Sequence, residues 1–516
     1  MVTLGSRSMS QDSFLIVEVI IMRKLLSPGL AVWLGLFAII PTVCAQEPVD
    51  REMIAKIREE GLKRSKVYET FTHFTEVIGP RLTGTPAHKT AAEYARDRLR
   101  EWGLPNPRLD SWEFGRGWTL EKLTIEMIEP RYLPLMGYAE AWSSSTAGEI
   151  IGAPLMLGGK SAAELEPLRS KIKGAIVLSQ PIQTVFEDKD RPQPTTEQGN
   201  VPIGQPRHPV DQTARANAQA LTQILREAGP AAVLRTSMGM HGTMFVLGRD
   251  AGQNALPSIV LAAEHYNLIA RMMELHVPVK LRVNLQTKFH EEDKNSYNVI
   301  AELPGTDPAL KDETVMLGAH LDSWHSATGA TDNADGAAVA MEALRILAAI
   351  RARPKRTIRV ALWSGEEEGL LGSRRYVEKY LTGEEKKAER EKMSVYFNID
   401  PGTGPIYGFY MENNEAAKPI FDAWLEPFRD LGARRNVLPG IGNTDHLSFI
   451  RVGVPGFNVI QEYADYDVRT HHTNVDTFER VREADLQQNA LVLASFLYHA
   501  AMRKSKIPFS KPAATN

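Results

Sequence analysis

Five groups of polar residues in the second half of the chain could bind metal ions or transfer protons. In chain order they are His320-Leu321-Asp322, Asp332-Asn333, Glu366-Glu367-Glu368, Asp400 and His471-His472. Imidazoles and carboxylates are, with cysteine thiolates, the protein ligands of Zn²⁺. Cys44 is the single cysteine, so an intrachain disulfide and a cysteine-based zinc site are both excluded, because each needs at least two thiols. A metal ion in this protein must therefore use His, Asp and Glu.

Each group has a simpler explanation when it is taken alone. A His-x-Asp motif is commonly a solvated strand end, Asp332 and Asn333 could cap a helix, and acidic residues in a first helical turn complement the helix dipole. The last explanation is weak for Glu366, Glu367 and Glu368. Three adjacent carboxylates that follow the apolar run 360–363 repel one another unless a cation lies nearby.

The elements that must position these groups follow an α/β pattern. From residue 296 onward, strands alternate with helices, which predicts an α/β domain with a mixed, largely parallel sheet and flanking helices. Strand candidates cover 314–319, 357–363 and 394–399, and each runs directly into one of the polar groups. Open α/β sheets bind ligands at the carboxyl ends of their strands. We therefore expect the polar groups to meet at one edge of the sheet.

The first half of the chain has a different texture. Residues 46–125 are mainly helical and are interpreted as the amino-terminal part of the catalytic domain, which resumes over 291–516. Between them, 126–290 contains short apolar runs separated by Gly and Pro, which predicts a separate, mainly β insert. Within it, 188–211 carries five prolines and is predicted to be a long surface loop.

The amino terminus resembles a secretory signal. Basic residues at 23 and 24 precede the apolar run 30–40 and the cleavage-like Val43-Cys44-Ala45, so 1–45 is interpreted as a removable signal peptide with Met22 as an alternative start. A membrane anchor is the other possibility, but the apolar run is shorter than the roughly 20 residues that span a bilayer. A lipidated Cys44 is disfavoured by Val43. We expect an exported, periplasmic or secreted protein without a stable membrane anchor.

The charge balance argues against nucleic acid as a partner. The 60 basic and 63 acidic residues give a formal charge of -3, which leaves no broad basic excess for binding phosphates.

The order His-x-Asp, Asp-Asn, Glu-Glu, Asp and His within one α/β domain resembles the M28 family of zinc peptidases, and most closely its carboxypeptidase Q branch. The resemblance begins at 297–305, continues through Thr477, and includes 172–178, which looks like a strand of a protease-associated domain. It therefore implies a zinc exopeptidase fold with an inserted protease-associated-like domain.

The resemblance also implies roles for individual residues. Two zinc ions per chain would be bound, one by His320, Asp332 and Asp400, and the other by Asp332, Glu367 and His472. Glu366 would be the general base, Asp322 the partner of His320, and His471 a ligand of the oxyanion. The resemblance further implies a cis peptide bond between Asp332 and Asn333, and places Thr444-Asp445-His446 near the site.

These assignments predict an exported dinuclear zinc exopeptidase, an aminopeptidase or dipeptidase. It would cleave peptides or dipeptides with a zinc-bound hydroxide while Glu366 takes the proton. The resemblance favours a homodimer. Two alternatives stay open: a non-catalytic binding protein on the same fold, and an acyl transferase of the glutaminyl cyclase type that uses one zinc ion.

Overall fold

A computed structural model of the chain describes residues 47–194 and 211–509. The expected signal peptide at 1–45 and residues 195–210 of the predicted loop 188–211 lie outside the described residues. The strands are β1 Arg108–Glu113, β2 Gly117–Glu129, β3 Leu133–Pro134, β4 Gly137–Ala139, β5 Ile150–Gly152, β6 Pro154–Met156, β7 Ile176–Leu178, β8 Ala232–Thr236, β9 Ser258–Leu261, β10 Lys280–His290, β11 Asn295–Leu303, β12 Thr314–His320, β13 Thr357–Trp363, β14 Met393–Asn398, β15 Gly408–Tyr410 and β16 Gly456–Ile460. The helices are α1 Arg51–Lys63, α2 Val67–Thr72, α3 Pro86–Glu101, α4 Ala162–Leu165, α5 Arg169–Ile172, α6 Gln212–Ala228, α7 Ala263–Glu274, α8 Asp335–Ala349, α9 Leu371–Tyr380, α10 Lys387–Lys392, α11 Lys418–Leu425, α12 His446–Ile450 and α13 Glu483–Met502.

A seven-stranded sheet forms the centre of the molecule, in the order β1-β11-β13-β12-β14-β16-β15. The four strands β13, β12, β14 and β16 are parallel, while β1, β11 and β15 join antiparallel at the two edges. Every residue of β12 is buried, as expected for a central parallel strand covered on both faces. The predicted mixed α/β fold is confirmed.

Two helices bury one face of this sheet. Helix α8 is rich in alanine and is buried along almost its whole length, and it packs closely on α13. Helix α13 is itself buried over most of its 20 residues. Small side chains on α8 let the two helices and the sheet approach closely, so their apolar side chains join one large core. This core holds the central strands in place, and with them the strand ends at the carboxyl edge of the sheet.

Two smaller sheets, ordered β3-β2-β10-β5 and β4-β9-β8-β7-β6, lie mostly in the predicted insert region, although β2 begins at Gly117, before the expected start of the insert at 126. The expectation of a mainly β module was incomplete, because α6 and α7 also lie here and β6, β7, β8 and β9 pair in parallel. Helix α6 buries only Leu221, Ile224 and Leu225 along 17 residues. These three residues have the i, i+3, i+4 spacing of one helix face, so the sequence carries a helical signal that the expectation of a mainly β module did not use.

Across residues 47–194 and 211–509, none of the helices combines the length and apolar character that crossing a bilayer requires.

A buried ion cluster joins the amino-terminal helices to the core. The Arg345 guanidinium on α8 lies 2.8 Å from Glu60 of α1 and 2.7 Å from Glu342, and all three side chains are at most 8% exposed. Glu342 also accepts hydrogen bonds from the Ser65 hydroxyl and the Lys66 amide. The cluster is therefore a closed network in which each charge has partners.

We predict that Arg345→Met lowers the free energy of unfolding by about 3–5 kcal/mol, because Glu60 and Glu342 would lose their buried counter-charge. Chemical denaturation followed by circular dichroism measures the change. Arg51→Met is the matched control, since Arg51 pairs with Glu426 where both side chains are more than half exposed; it should change stability by less than about 1 kcal/mol. Equal effects of the two substitutions would contradict the prediction.

Candidate active site

The predicted polar groups meet at the carboxyl edge of the central sheet. His320 ends β12, Glu366 and Glu367 lie in the turn after β13, and Asp400 follows β14 by two residues. Pairing of His320 with Trp363 brings β12 and β13 to an end at the same level. The site therefore lies in the space just beyond the carboxyl ends of the parallel strands.

Asp332 occupies the centre of the site, in the tight turn that leads into α8. Its Oδ1 atom lies 3.1 Å from His320 Nε2, and its Oδ2 atom lies 3.4 Å from His472 Nε2. The two oxygens of one carboxylate thus face two different imidazoles. The Asp332–Asn333 peptide bond is cis, which confirms the expectation drawn from the sequence resemblance.

Asp476 and Asn333 hold the turn that carries Asp332. The Asp476 carboxylate accepts hydrogen bonds from the backbone amides of Thr331, at 2.7 Å, and Asp332, at 3.2 Å. The Asn333 side chain donates to the Ile399 carbonyl at 2.9 Å and accepts from the Gly336 amide at 3.0 Å. These bonds tie the turn to the end of β14, so Asp332 and Asp400 are positioned together.

One group of potential metal ligands consists of His320, Asp332 and Asp400, whose donor atoms all lie within 4.8 Å of one another. His320 Nε2 is 3.7 Å from Asp400 Oδ1. This nitrogen is buried and makes no hydrogen bond to the described part of the chain. A metal ion would satisfy a nitrogen in this position, so the donor set fits one.

A second group surrounds His472. Glu367 Oε2 lies 2.9 Å from His472 Nε2 and accepts a hydrogen bond from Trp324 Nε1 at 2.8 Å. The other Glu367 oxygen, Oε1, is buried without a hydrogen-bond partner among the described residues. Asp332, His471 and His472 also offer donor atoms that all lie within 4.8 Å of one another. All five predicted metal ligands are therefore brought together, with Asp332 common to both groups.

Asp322 acts on the turn that carries the two glutamates. Its carboxylate accepts hydrogen bonds from the backbone amides of Glu366, at 3.3 Å, and Glu367, at 3.2 Å. His320 Nδ1 lies 3.0 Å from the Asp322 backbone carbonyl and 3.8 Å from its carboxylate. The contact to His320 is thus made mainly through the backbone, and the carboxylate orients Glu366 and Glu367.

Burial and crowding of like charges dominate the electrostatics. Burial raises the pKa of Glu366 and of Glu367 well above the usual carboxyl range, and neighbouring carboxylates such as Asp400 add to the effect. Burial also raises the pKa of Asp476 to about 7. A site with this many buried carboxylates favours a bound cation, because opposite charge stabilises their ionised forms.

His471 lies beside the metal-ligand groups. Its ring centroid is 3.7 Å from that of His472 and 5.2 Å from that of Tyr466. Burial and the neighbouring His472 lower the pKa of His471 to about 3, so the imidazole is neutral at physiological pH and carries one N–H donor.

A cavity of about 1020 Å³ opens over these groups and is lined by Glu366 and by Asp332, Glu367, Asp400 and His472. Part of its wall comes from the predicted insert region. Phe245 pairs with Thr473, and the Val246 amide donates to the His472 carbonyl at 2.9 Å. Met238 and Leu247 line the same cavity with about half of each side chain exposed. The insert therefore contributes an apolar wall next to a predicted metal ligand.

Two supporting residues were missed by the sequence analysis. The Arg81 side chain is completely buried and donates hydrogen bonds to the backbone carbonyls of Leu321 at 2.8 Å and Gly329 at 2.8 Å, both in the segment between His320 and Asp332. Trp324 is the other, through its bond to Glu367. Neither has a distinctive local motif, because each acts on residues far away in the sequence.

Known proteins are similar to this chain in sequence and in fold. Residues 298–497 match the family described as Peptidase family M28. Carboxypeptidase Q of Rattus norvegicus is 26% identical over 450 residues, which cover 87% of this chain and 88% of that protein. Leupeptin-inactivating enzyme 1 of Streptomyces exfoliatus is 28% identical over 228 residues, which cover 41% and 49% of the two chains.

Solved structures show the same fold. The peptidase M28 precursor of Shewanella amazonensis superposes with a TM-score of 0.67 at 24% identity, and the alignment covers 89% of this chain and 98% of that one. A zinc aminopeptidase of Bacillus subtilis gives a TM-score of 0.58 at 19% identity, with 86% and 96% covered. These structures show the fold, while the family match over residues 298–497 and the similarity to carboxypeptidase Q over 87% of the chain show that the chain contains an M28 peptidase domain and is a metallopeptidase.

Proposed function

We propose that this protein is an exported exopeptidase that binds two zinc ions and removes single residues from short peptides. The observation that carries the proposal is the position of Asp332, whose two carboxylate oxygens face His320 and His472. A carboxylate in this position can bridge two metal ions. His320 and Asp400 would complete one site, and Glu367 and His472 the other.

When bound, the zinc ions would supply Lewis acidity that polarises the scissile carbonyl and lowers the pKa of the attacking water. The proposed general base is Glu366, which lines the cavity while its neighbour Glu367 contacts His472. Burial raises the proton affinity of Glu366, which suits a group that accepts a proton from water and then donates it to the leaving amine. The neutral His471 would donate its N–H to the oxygen that develops negative charge.

The one-zinc acyl transferase and the non-catalytic binding protein are the competing functions. Two donor groups that share Asp332 favour the two-metal peptidase over both. Zinc content by mass spectrometry, together with hydrolysis of dipeptides and amino-terminal chromogenic amides, separates the three. Two zinc ions with hydrolysis support the proposal, whereas one zinc ion with pyroglutamate formation, or no turnover after zinc is added back, contradicts it.

Glu366→Gln should reduce kcat by about 10²–10⁴-fold, because the amide cannot accept a proton. It should leave the zinc content near that of the wild type, since Glu366 is not among the proposed ligands. Glu367→Gln is the matched control one residue away, and it should lose zinc as well as activity. Equal loss of zinc in both variants would assign Glu366 to the metal site instead.

Trp324→Phe should weaken zinc binding about 10- to 100-fold, because Glu367 would lose the N–H that orients its carboxylate. Competition with a chromogenic chelator measures the change. Trp142→Phe is the control, since Trp142 in the predicted insert region is also buried and donates its indole N–H to the Arg116 carbonyl. Unchanged zinc affinity in Trp324→Phe would show that this hydrogen bond does not support the metal site.

A further inference from the structure

Arg374 and Arg451 are two of the three arginines that line the cavity with the proposed metal ligands; the third is Arg191. Arg374 lies on the first turn of α9, which begins directly after the turn of Glu366 and Glu367, and Arg451 follows the last residue of α12. Both positions lie on one wall of the cavity, together with Leu370 and Leu447. The cavity thus has a basic wall as well as the apolar wall formed by Met238, Phe245 and Leu247.

Packing between α9 and α12 fixes the basic wall. The hydroxyls of Ser373 and Ser448 are buried and hydrogen-bonded to each other at 2.9 Å. Arg374 is the next residue after Ser373, and Arg451 lies one helical turn beyond Leu447 on the same side of its helix. The two arginines therefore lie on, or directly after, two helices that are hydrogen-bonded to each other.

Neither arginine has an acidic partner in the part of the chain that the structure describes. Arg374 is half-buried, and its Nε atom is buried without a hydrogen-bond partner among those residues. The adjacent Arg375 instead pairs with Glu378 at 2.8 Å on the exposed side of α9. A half-buried guanidinium without a counter-charge is unfavourable, and a carboxylate is its best-matched ligand.

The other acids of the cavity, Glu187 among them, already have interaction partners. The Asp190 carboxylate accepts hydrogen bonds from the backbone amides of Asp465 and Val468. The Asp467 carboxylate forms a bidentate pair with the Arg191 guanidinium. Asp332, Glu366, Glu367 and Asp400 face the metal positions. The counter-charge for Arg374 is therefore expected to come from outside the protein.

We infer that Arg374, assisted by Arg451, binds a carboxylate of the substrate. This inference rests on the proposed function and deepens it, because it assigns the substrate an anionic group on the α9 side of the scissile bond. A free α-carboxylate in this position would select dipeptides or the last residue of a peptide. An acidic side chain offers the same chemistry, and the test distinguishes the two.

Calorimetric titration of the zinc-loaded protein with leucine, leucinamide and glutamic acid α-amide tests the inference. Leucine carries the α-carboxylate, glutamic acid α-amide carries only the side-chain carboxylate, and leucinamide carries neither. Arg374→Met should weaken binding of the preferred carboxylate ligand by about 10- to 100-fold and leave leucinamide unaffected. Arg374→Lys should recover part of the affinity, because it keeps the charge but loses the bidentate geometry. Arg375→Met, with its exposed ion pair, should bind all three ligands like the wild type.

The same variants are then assayed on Ala-Leu and Ala-Leu-amide. A loss confined to the carboxylate substrate, mainly through KM, supports the inference. Equal losses on both substrates, or no effect of Arg374→Met on any ligand, overturn it. Binding that depends on Arg374 without hydrolysis of any peptide would instead refute the proposed function while the carboxylate site stands.

Discussion

The concentration of buried carboxylates at one edge of the sheet is the constraint on which the rest of the structure depends. Asp332, Glu366, Glu367 and Asp400 all line one cavity, and Asp322 and Asp476 lie buried directly behind it. Like charges in a low-dielectric environment raise each other's pKa and oppose folding unless donors or cations compensate them. The hydrogen bonds that Asp322, Asp476 and Glu367 accept supply part of this compensation.

Compensation comes first from the chain itself. Backbone amides of two turns point at Asp322 and Asp476, so these carboxylates act as rigid supports and are not available as ligands. Arg81 adds a full positive charge behind the site. Burial lowers its pKa to about 10, against the opposing effect of Asp476 and Asp322, so it stays protonated at neutral pH. Among the acids that line the cavity, Glu367 keeps its Oε1 atom without a hydrogen-bond partner in the described residues, at a position where a metal ion would be bound.

Much of this site could be predicted from the sequence, because its chemistry is local to strand ends. His320, Glu366, Glu367 and Asp400 each follow an apolar run, and a parallel sheet brings such ends together. The contacts that hold them could not be predicted. Arg81 bonds to Gly329 across 248 residues, and Trp324 reaches Glu367 across 43, so no periodicity or motif links the partners. The helix α6 was missed for a different reason, since the short apolar runs around it directed the interpretation toward strands although Leu221, Ile224 and Leu225 have helical spacing.

Two adjacent glutamates can have different roles because the backbone between them is clamped. Asp322 holds the amides of both Glu366 and Glu367, so the turn is fixed and each side chain keeps its own direction. Glu367 is further restrained by Trp324 and lies against His472, whereas Glu366 lines the open cavity. A flexible turn would let the two carboxylates exchange positions. Glu366, the proposed base, and Glu367, the proposed ligand, would then compete for the same metal ion.

The position of His472 shows that the predicted insert region is part of the site and not a separate appendage. His472 has a left-handed backbone with φ of 62°, a conformation that costs a non-glycine residue about 1–2 kcal/mol. Its carbonyl accepts the Val246 amide, and Phe245 pairs with the next residue, Thr473. These bonds help to hold a strained residue whose imidazole contacts both Asp332 and Glu367. Any displacement of the 238–247 segment would therefore change the proposed metal site and the apolar wall of the cavity together.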